Sequence, residues 1–290
     1  MSDRIKREVV LLAVVVINFG SPELTVRFVR EELVKIREEH AVIVVDNAST
    51  DDSYGQLVRD LPGSVILRCP ENQGFARANN QGADYAFAQY HPTHILFTNN
   101  DILFQDTDAV DILVRKMASL PDVGIIGPEV VGLDGKRQGP HPEQTFAQRH
   151  LLPTWGKLWY KAETLKGIVR KDFARTAVEG RCGWISGSCF LVDAAAFKAA
   201  GGFDPATFLY GEEQILSARF ARVGKTVYYD PEVTVVHAHG AVTRKYFDQQ
   251  RIRKMVFRNE CYYYRTYRGT PAWQILLGRF TFWMNRVRGR

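Results

Sequence analysis

The stretch His94-Ile95-Leu96-Phe97-Thr98-Asn99-Asn100-Asp101 is an apolar run that stops abruptly at three polar side chains. Apolar and β-branched residues without polar alternation read as a central strand of a parallel sheet, which is covered on both faces. Asp101 then falls just past the carboxyl end of that strand. Open α/β sheets bind their ligands there, and a carboxylate in that place can hold a divalent cation against a phosphate. Asn-Asn-Asp is also ordinary turn chemistry. The ligand reading gains because other runs end in the same way. Val9 to Ile17 leads into Asn18-Phe19-Gly20, Ala41 to Val45 into Asp46-Asn47-Ala48-Ser49, and Ser64 to Leu67 into Glu71-Asn72-Gln73-Gly74.

Between these runs the spacing predicts helices. Ser21 and Pro22 suit an N-cap and a first helical position, and Val26, Val29, Leu33 and Ile36 then share one apolar face. The resulting βαβαβαβ order predicts right-handed crossovers, a mostly parallel central sheet and helices on both of its faces. It also gathers Asn18, Asp46, the Asn72 to Asn80 segment and Asp101 along one edge. No G-x-G-x-x-G follows the first run, which argues against a dinucleotide site. Val223-Gly224-Lys225-Thr226 is no phosphate-binding loop, because Arg219 stands where the earlier glycine is needed.

With 290 residues, 46% of them hydrophobic, the chain can bury one large α/β core with appendages. Cys69, Cys182, Cys189 and Cys261 form no C-x-x-C pair, which fits a reducing compartment better than a disulfide framework or a zinc site. The apolar run Val9 to Ile17 follows Arg4, Lys6 and Arg7, yet no small-residue cleavage site comes after it, so it reads as the first strand. Charge is unevenly distributed. From Arg244 onward, twelve Lys and Arg face only Asp248 and Glu260, a local balance of +10 in a chain whose total is +6, which leaves −4 for residues 1–243. The same tail holds eleven of the 34 aromatic residues and so reads as a basic, aromatic extension of a mildly acidic body.

Several spaced motifs, taken together, resemble the family-2 inverting glycosyltransferases of the GT-A fold, and within them the bacterial rhamnosyltransferase-like enzymes. They are Val14-Val15-Val16-Ile17-Asn18-Phe19, Val45-Asp46-Asn47-Ala48-Ser49-Thr50-Asp51, Asn72-x-Gly74-Phe75-x-x-x-Asn79-Asn80-x-Gly82 and Thr98-Asn99-Asn100-Asp101. The resemblance continues through Trp184-Ile185-Ser186-Gly187-Ser188-Cys189, Gly201-Gly202-Phe203-Asp204 and Phe208-Leu209-Tyr210-Gly211-Glu212-Glu213. It ends at Tyr229-Asp230-Pro231 and Val235-Val236-His237-Ala238-His239-Gly240. It implies a single GT-A (Rossmann-like) domain over residues 1–243, with a nucleotide-binding half at 9–130, a mobile insertion at 132–180 and an acceptor half at 181–243. The C-terminal extension, 244–290, follows.

The resemblance also implies roles. Asp46 would hydrogen-bond the nucleotide base, with Asn18 and Phe19 in the pocket wall. Gly74 and Phe75 would let the chain approach the donor, Arg77 would face the diphosphate, and Asn80 would fix that segment. Asn99-Asn100-Asp101 occupies the place of the family's D-x-D motif, with Asn99 for the first acid, so Asp101 is left as the carboxylate for Mg²⁺ or Mn²⁺. His237 and His239 would complete the metal site or meet the leaving diphosphate. Glu213 matches the family's catalytic base, with Glu for the usual Asp, and would take the proton from the acceptor hydroxyl. Glu212 and Glu213 equally suit the positive end of the helix carried by Leu216, Phe220 and Val223. Trp184, Gly187, Tyr210 and Glu212 would line the acceptor side. The family's second acid, two positions on, is Ile215 here.

The partners implied are a nucleoside-diphosphate sugar, dTDP-rhamnose by resemblance, and a glycan or lipid-linked acceptor. No nucleic acid is expected. The alternative is a nucleotide-sugar or glycan-binding relative impaired in turnover, to which Asn99 and Ile215 give motif-level support. In the tail, Trp273, Leu277, Phe280, Met284 and Val287 recur at helical spacing among arginines. That pattern fits an interfacial helix on anionic lipid, or a helix docked on the domain or on a second subunit as a homodimer. The location implied is cytoplasmic, peripheral on the inner face of the membrane.

Overall fold

The computed structural model describes residues 12–170, 173–238 and 248–287. The first half follows the alternation read from the sequence: β1 (Leu12–Asn18), α1 (Pro22–Arg27), β2 (His40–Asp46), α2 (Ser53–Asp60), β3 (Val65–Arg68), α3 (Gly74–Gln89) and β4 (His94–Thr98). Irregular helical turns prolong α1 to Lys35. β5 (Ile102–Phe104), α4 (Ala109–Ala118) and β6 (Val123–Gly132) come next. The insertion carries the short helices α5 (Leu152–Trp155), α6 (Ala162–Ile168) and α7 (Phe173–Thr176). β7 (Gly180–Cys182), β8 (Cys189–Asp193), α8 (Ala194–Ala200), α9 (Glu212–Arg222) and β9 (Thr226–His237) complete the body, and α10 (Gln249–Tyr267) and α11 (Ala272–Val287) form the extension.

The sheet runs β3-β2-β1-β4-β8-β6-β9-β5, with β7 beside β9 off that path. β1, β2, β3 and β4 pair in parallel, and the two longest ladders, β1 with β2 and β6 with β9, are both parallel. β8 lies antiparallel between β4 and β6. Successive residues of a strand point to opposite faces, and β1 makes that visible. Ala13 and Val15 pack with Ala76, Ala83 and Phe197 on one side, while Val14 and Val16 pack with Phe28, Leu33 and Leu113 on the other. Helices therefore cover both faces, and the apolar runs need no alternation. This is a GT-A-type α/β domain.

A third apolar cluster joins the extension to the body. Phe146 and Leu151 of the insertion, Ile215 of α9, Cys261, Tyr263 and Tyr264 of α10 and Ile275 of α11 are buried together. α11 docks through small and hydroxyl-bearing residues. Gly278 lies against the Phe146 ring, and the Trp155 indole N–H donates to Thr281 Oγ1 at 2.9 Å. The docked face thus carries Ile275, Gly278 and Thr281, with Leu277 of the expected row partly buried against the same cluster. Trp273, Leu276, Phe280 and Trp283 point outward, each at least half exposed. Among the described residues no helix is long and apolar enough to cross a membrane.

Candidate functional site

A cavity of about 340 Å³ opens where β1, β4 and β9 end and β8 begins. Behind Asn100, which lines it, a buried polar network ties three strand ends together. Asn18 Nδ2 donates to Asp46 Oδ1 at 2.9 Å, and the Ser49 hydroxyl donates to the same oxygen. Thr25 Oγ1 donates to Asn18 Oδ1 at 2.8 Å and accepts from Asn100 Nδ2 at 2.8 Å. Asp46 and Asn18 are fully buried, and Asp46 Oδ2 has no hydrogen-bond partner among the described residues. The nearest cation, Arg68, stands 3.9 Å from it. A buried carboxylate oxygen left without a donor costs roughly 1–3 kcal/mol or more, so this atom is set to accept from a ligand. Ser49, Arg68 and Cys69 line a shallow recess beside it.

The turn after β4 brings Asn99, Asn100 and Asp101 to the cavity wall, with His237 from the end of β9. His237 Nε2 lies 3.2 Å from Asp101 Oδ1 and 3.3 Å from Asn99 Nδ2. Its Nδ1 lies 2.7 Å from Gln138 Oε1. A carbonyl oxygen only accepts, so Nδ1 carries the proton and Nε2 faces Asp101, the arrangement that metal-bound imidazoles adopt. Among the described residues no group of three or more His, Cys, Asp and Glu gathers to hold a metal. Asp101 and His237 supply two ligands at most, so a cation held here would take the others from a bound phosphate and water, the usual habit of Mg²⁺ at phosphate sites. His239 lies outside the described residues.

Gly74, at φ +75°, opens α3 and presses on the Phe208 carbonyl so closely that a Cβ would collide with it. Phe75 N donates to that carbonyl at 2.8 Å. Asn47 holds the approach to this turn by donating to Asn72 Oδ1 at 3.0 Å and accepting from Gln73 N at 2.9 Å. The far end of the 203–211 loop reaches the cavity as Tyr210, Glu212 and Glu213. Tyr210 and Gly211 are both left-handed, at φ 72° and 92°. For a non-glycine residue that conformation costs of order 1–3 kcal/mol, which the surroundings must offset.

Glu212 and Glu213 open α9, where the helix dipole favours negative charge. Glu213 lies against Gly187, at which a Cβ would collide with its carboxylate. Burial pushes the Glu213 carboxyl up, against hydrogen bonds from the backbone N–H groups of Glu213, Gly187 and Gly211. Glu212 is 3% exposed, and its Oε1 has no hydrogen-bond partner among the described residues. Burial and then the neighbouring Glu213 charge push its carboxyl well above the ordinary range. Two buried carboxyl groups, both pushed up by burial, are thus set side by side, Glu213 with three backbone N–H donors and Glu212 with one, and perturbed carboxyl groups of this kind mark candidate acid–base sites.

The cavity brings together Phe19, Gly74, Phe75, Asn99, Asn100, Asp101, Gly187, Tyr210, Glu212, Glu213 and His237 from the residues named on sequence grounds. Five others do not line it: Asn18 and Asp46 belong to the buried polar network, and Arg77, Asn80 and Trp184 lie elsewhere. Arg77 is exposed and donates to the Pro205 carbonyl at 3.2 Å. Asn80 braces the backbone of Phe203 with two hydrogen bonds of 2.9 Å. Trp184 stacks on His141 with ring centroids 3.6 Å apart and lines a separate cavity of about 250 Å³ with Gln214 and Arg268. Sequence reading passed over Gln138, Asn47 and Ser188. Asn47 stood in a quoted motif, whereas Gln138 lies in the insertion, where nothing signalled it.

The pattern that defines glycosyl transferase family 2 matches residues 13–176. The chain is 27% identical over 243 residues to the N-acetylglucosaminyl-diphospho-decaprenol L-rhamnosyltransferase of Mycobacterium tuberculosis, a match that covers 78% of this chain and 76% of that protein. It is 24% identical over 232 residues to the rhamnosyltransferase WbbL of Escherichia coli, covering 73% of this chain and 83% of the relative. Among solved structures it is similar to GalNAc-T7 with UDP, GalNAc and Mn²⁺ at a TM-score of 0.54 and 16% identity, over 79% of this chain and 44% of that one. It is also similar to the mannosyltransferase PcManGT of Pyrobaculum calidifontis with GDP-Man and Mn²⁺, at a TM-score of 0.53 and 14% identity, over 97% of this chain and 76% of the other.

Proposed function

We propose that this chain, which belongs to glycosyl transferase family 2, moves a sugar from a nucleoside diphosphate to a hydroxyl of a lipid-linked glycan, with inversion at the anomeric carbon. We take dTDP-rhamnose as the donor, on the strength of the two rhamnosyltransferase relatives. The observation that carries the reading is that one cavity holds the Asp101 and His237 pair together with Glu213. A site of this kind can meet a diphosphate with one group and deprotonate an alcohol with another.

On this reading Asp46 Oδ2 accepts from the nucleobase, since it is buried and has no hydrogen-bond donor among the described residues. Asp101 and His237 would hold Mg²⁺ or Mn²⁺, and the bound cation would neutralise charge on the leaving diphosphate. Glu213 accepts the proton of the acceptor hydroxyl as that oxygen bonds to the anomeric carbon. The bond from that carbon to the donor phosphate breaks, and its electron pair leaves with the nucleoside diphosphate. Residues 1–243 form the transferase unit, and 244–290 its extension. The exposed row Trp273, Leu276, Phe280 and Trp283, in a tail with a charge balance of +10, suits an anionic membrane that carries the acceptor.

The test is nucleoside diphosphate release with dTDP-, UDP- and GDP-sugars, each with and without a polyprenyl diphosphate-linked GlcNAc acceptor. The expected result is acceptor-dependent release with dTDP-rhamnose. Tight nucleotide binding without release from any donor would instead make the protein a binding relative.

A further inference from the structure

The C-terminal extension touches the catalytic loop directly, through a residue that no motif marks. Asn259 sits in the middle of α10 and is 3% exposed. Its side-chain Nδ2 donates to the Leu209 carbonyl at 3.0 Å and to the Tyr210 carbonyl at 2.8 Å, so both amide protons are used on consecutive peptides. Those peptides lead into Gly211, Glu212 and Glu213. They include the two left-handed residues, Tyr210 and Gly211, that turn the chain into α9.

The rest of the 203–211 loop is held from both sides. From α3, Phe75 N donates to the Phe208 carbonyl and Asn80 brackets Phe203. From α10, the hydroxyls of Tyr262 and Tyr267 donate to Asp204 Oδ2 at 2.7 and 2.5 Å. Behind the loop, Ile215 of α9 is fully buried against Cys261 and Tyr264 of α10. Ile215 stands where the family pattern has its second acid, and that position packs the extension here.

We infer that Asn259 is a positioning residue for the Glu213 carboxylate: it fixes the Leu209 and Tyr210 carbonyls, and so the turn that aims Glu213 into the cavity. The inference rests on Glu213 as the base. Asn259 is not among the residues lining the cavity, and its side-chain hydrogen bonds go to the loop backbone. Its loss therefore shifts the base relative to the acceptor and leaves the nucleotide half as it was. A misplacement of about 1 Å in a reacting group can cost on the order of 100-fold in rate.

The experiment is a double-mutant cycle in the full-length protein, with kcat, donor KM and dTDP affinity measured for Asn259→Ala, Glu213→Gln and the pair. Asn259→Asp serves as an isosteric variant that cannot donate. The expected result is a fall in kcat of about 10- to 100-fold for either Asn259 variant, with dTDP affinity within about twofold of the parent. In the Glu213→Gln background, Asn259→Ala should then change kcat by less than about twofold, because the group it positions is gone. If Asn259→Ala costs the same factor in both backgrounds, or if dTDP affinity falls with kcat, Asn259 supports the fold alone and the inference is wrong. If Glu213→Gln is itself harmless, the base assignment fails and takes this inference with it. dTDP binding reports folding for every variant.

Discussion

Glu213→Gln isolates the proposed base with little change of shape. The amide keeps an oxygen that can accept from the Gly187 or Gly211 N–H groups, and Gly187 leaves room for it. What disappears is a group that takes a proton. General-base assistance contributes about 10²–10⁴-fold, or roughly 3–5 kcal/mol at 1.36 kcal/mol per decade, so kcat should fall by that factor. The assay is the initial rate of nucleoside diphosphate release with saturating donor and acceptor, alongside dTDP affinity, which should stay within about twofold because the base faces the acceptor. Glu213→Asp retracts the carboxylate by about a bond length and should keep far more activity than Gln. Glu212→Gln is the internal control. Burial and the Glu213 charge push its carboxyl up and so favour the neutral acid, for which an amide is a close stand-in, so its loss should stay under about tenfold. A larger loss at Glu212 than at Glu213 would shift the base by one residue. Losses under tenfold at both would leave the carboxylates as helix-start charges only.

Because burial raises the Glu213 pKa and the base must be ionised to act, activity should fall with acid at a pH above the ordinary 4.5, which a pH profile of kcat/KM measures. A limb at or below 4.5 contradicts the assignment. Asp101→Ala should abolish metal-dependent turnover and weaken dTDP binding at an unchanged Tm, and undiminished activity with chelator would remove the cation from the account. Changing the exposed Leu276, Phe280 and Trp283 to Ser should weaken partitioning into anionic vesicles by about tenfold or more, since each forfeits part of the roughly 1.5–3 kcal/mol of a buried large side chain. Unchanged vesicle binding would leave α11 as a docking helix. Burial among Phe146, Phe257 and Tyr264 pushes the His150 pKa from 6.5 down to about 3. The folded state thus keeps His150 neutral while the unfolded chain takes up a proton below 6.5. Its contribution is complete above pH 6.5 and declines by up to about 1.4 kcal/mol per pH unit as pH falls toward 3. Melting curves between pH 7 and 5 should show this loss, and His150→Phe should flatten it.

The nucleotide-side half was legible because strand, turn and helix signals agree there. The apolar runs that became β1, β2, β3 and β4 lie within a residue or two of their observed ends where both are described, and each stops at a polar side chain. The direction of β8 was not legible, since an apolar run buried on both faces looks the same in parallel and antiparallel ladders. Arg77 was assigned to the diphosphate by motif alone, and nothing in its neighbours revealed that the Pro205 carbonyl would take its guanidinium. The docked face of α11 was not legible, because Gly278 and Thr281, which help to make it, are not counted by hydrophobic spacing. Asn259 could not be found from spacing at all. Its significance lies in the carbonyls of Leu209 and Tyr210, some fifty residues earlier in the chain.

The most direct measurement is structural analysis of the product formed from dTDP-rhamnose and a polyprenyl diphosphate-linked GlcNAc, by mass spectrometry and NMR of the new linkage. The expected product carries one added deoxyhexose, with anomeric configuration opposite to that in the donor, formed by the parent protein and at least about 100-fold more slowly by Glu213→Gln. A product that retains the donor's configuration, or one that forms equally well without the Glu213 carboxylate, contradicts it.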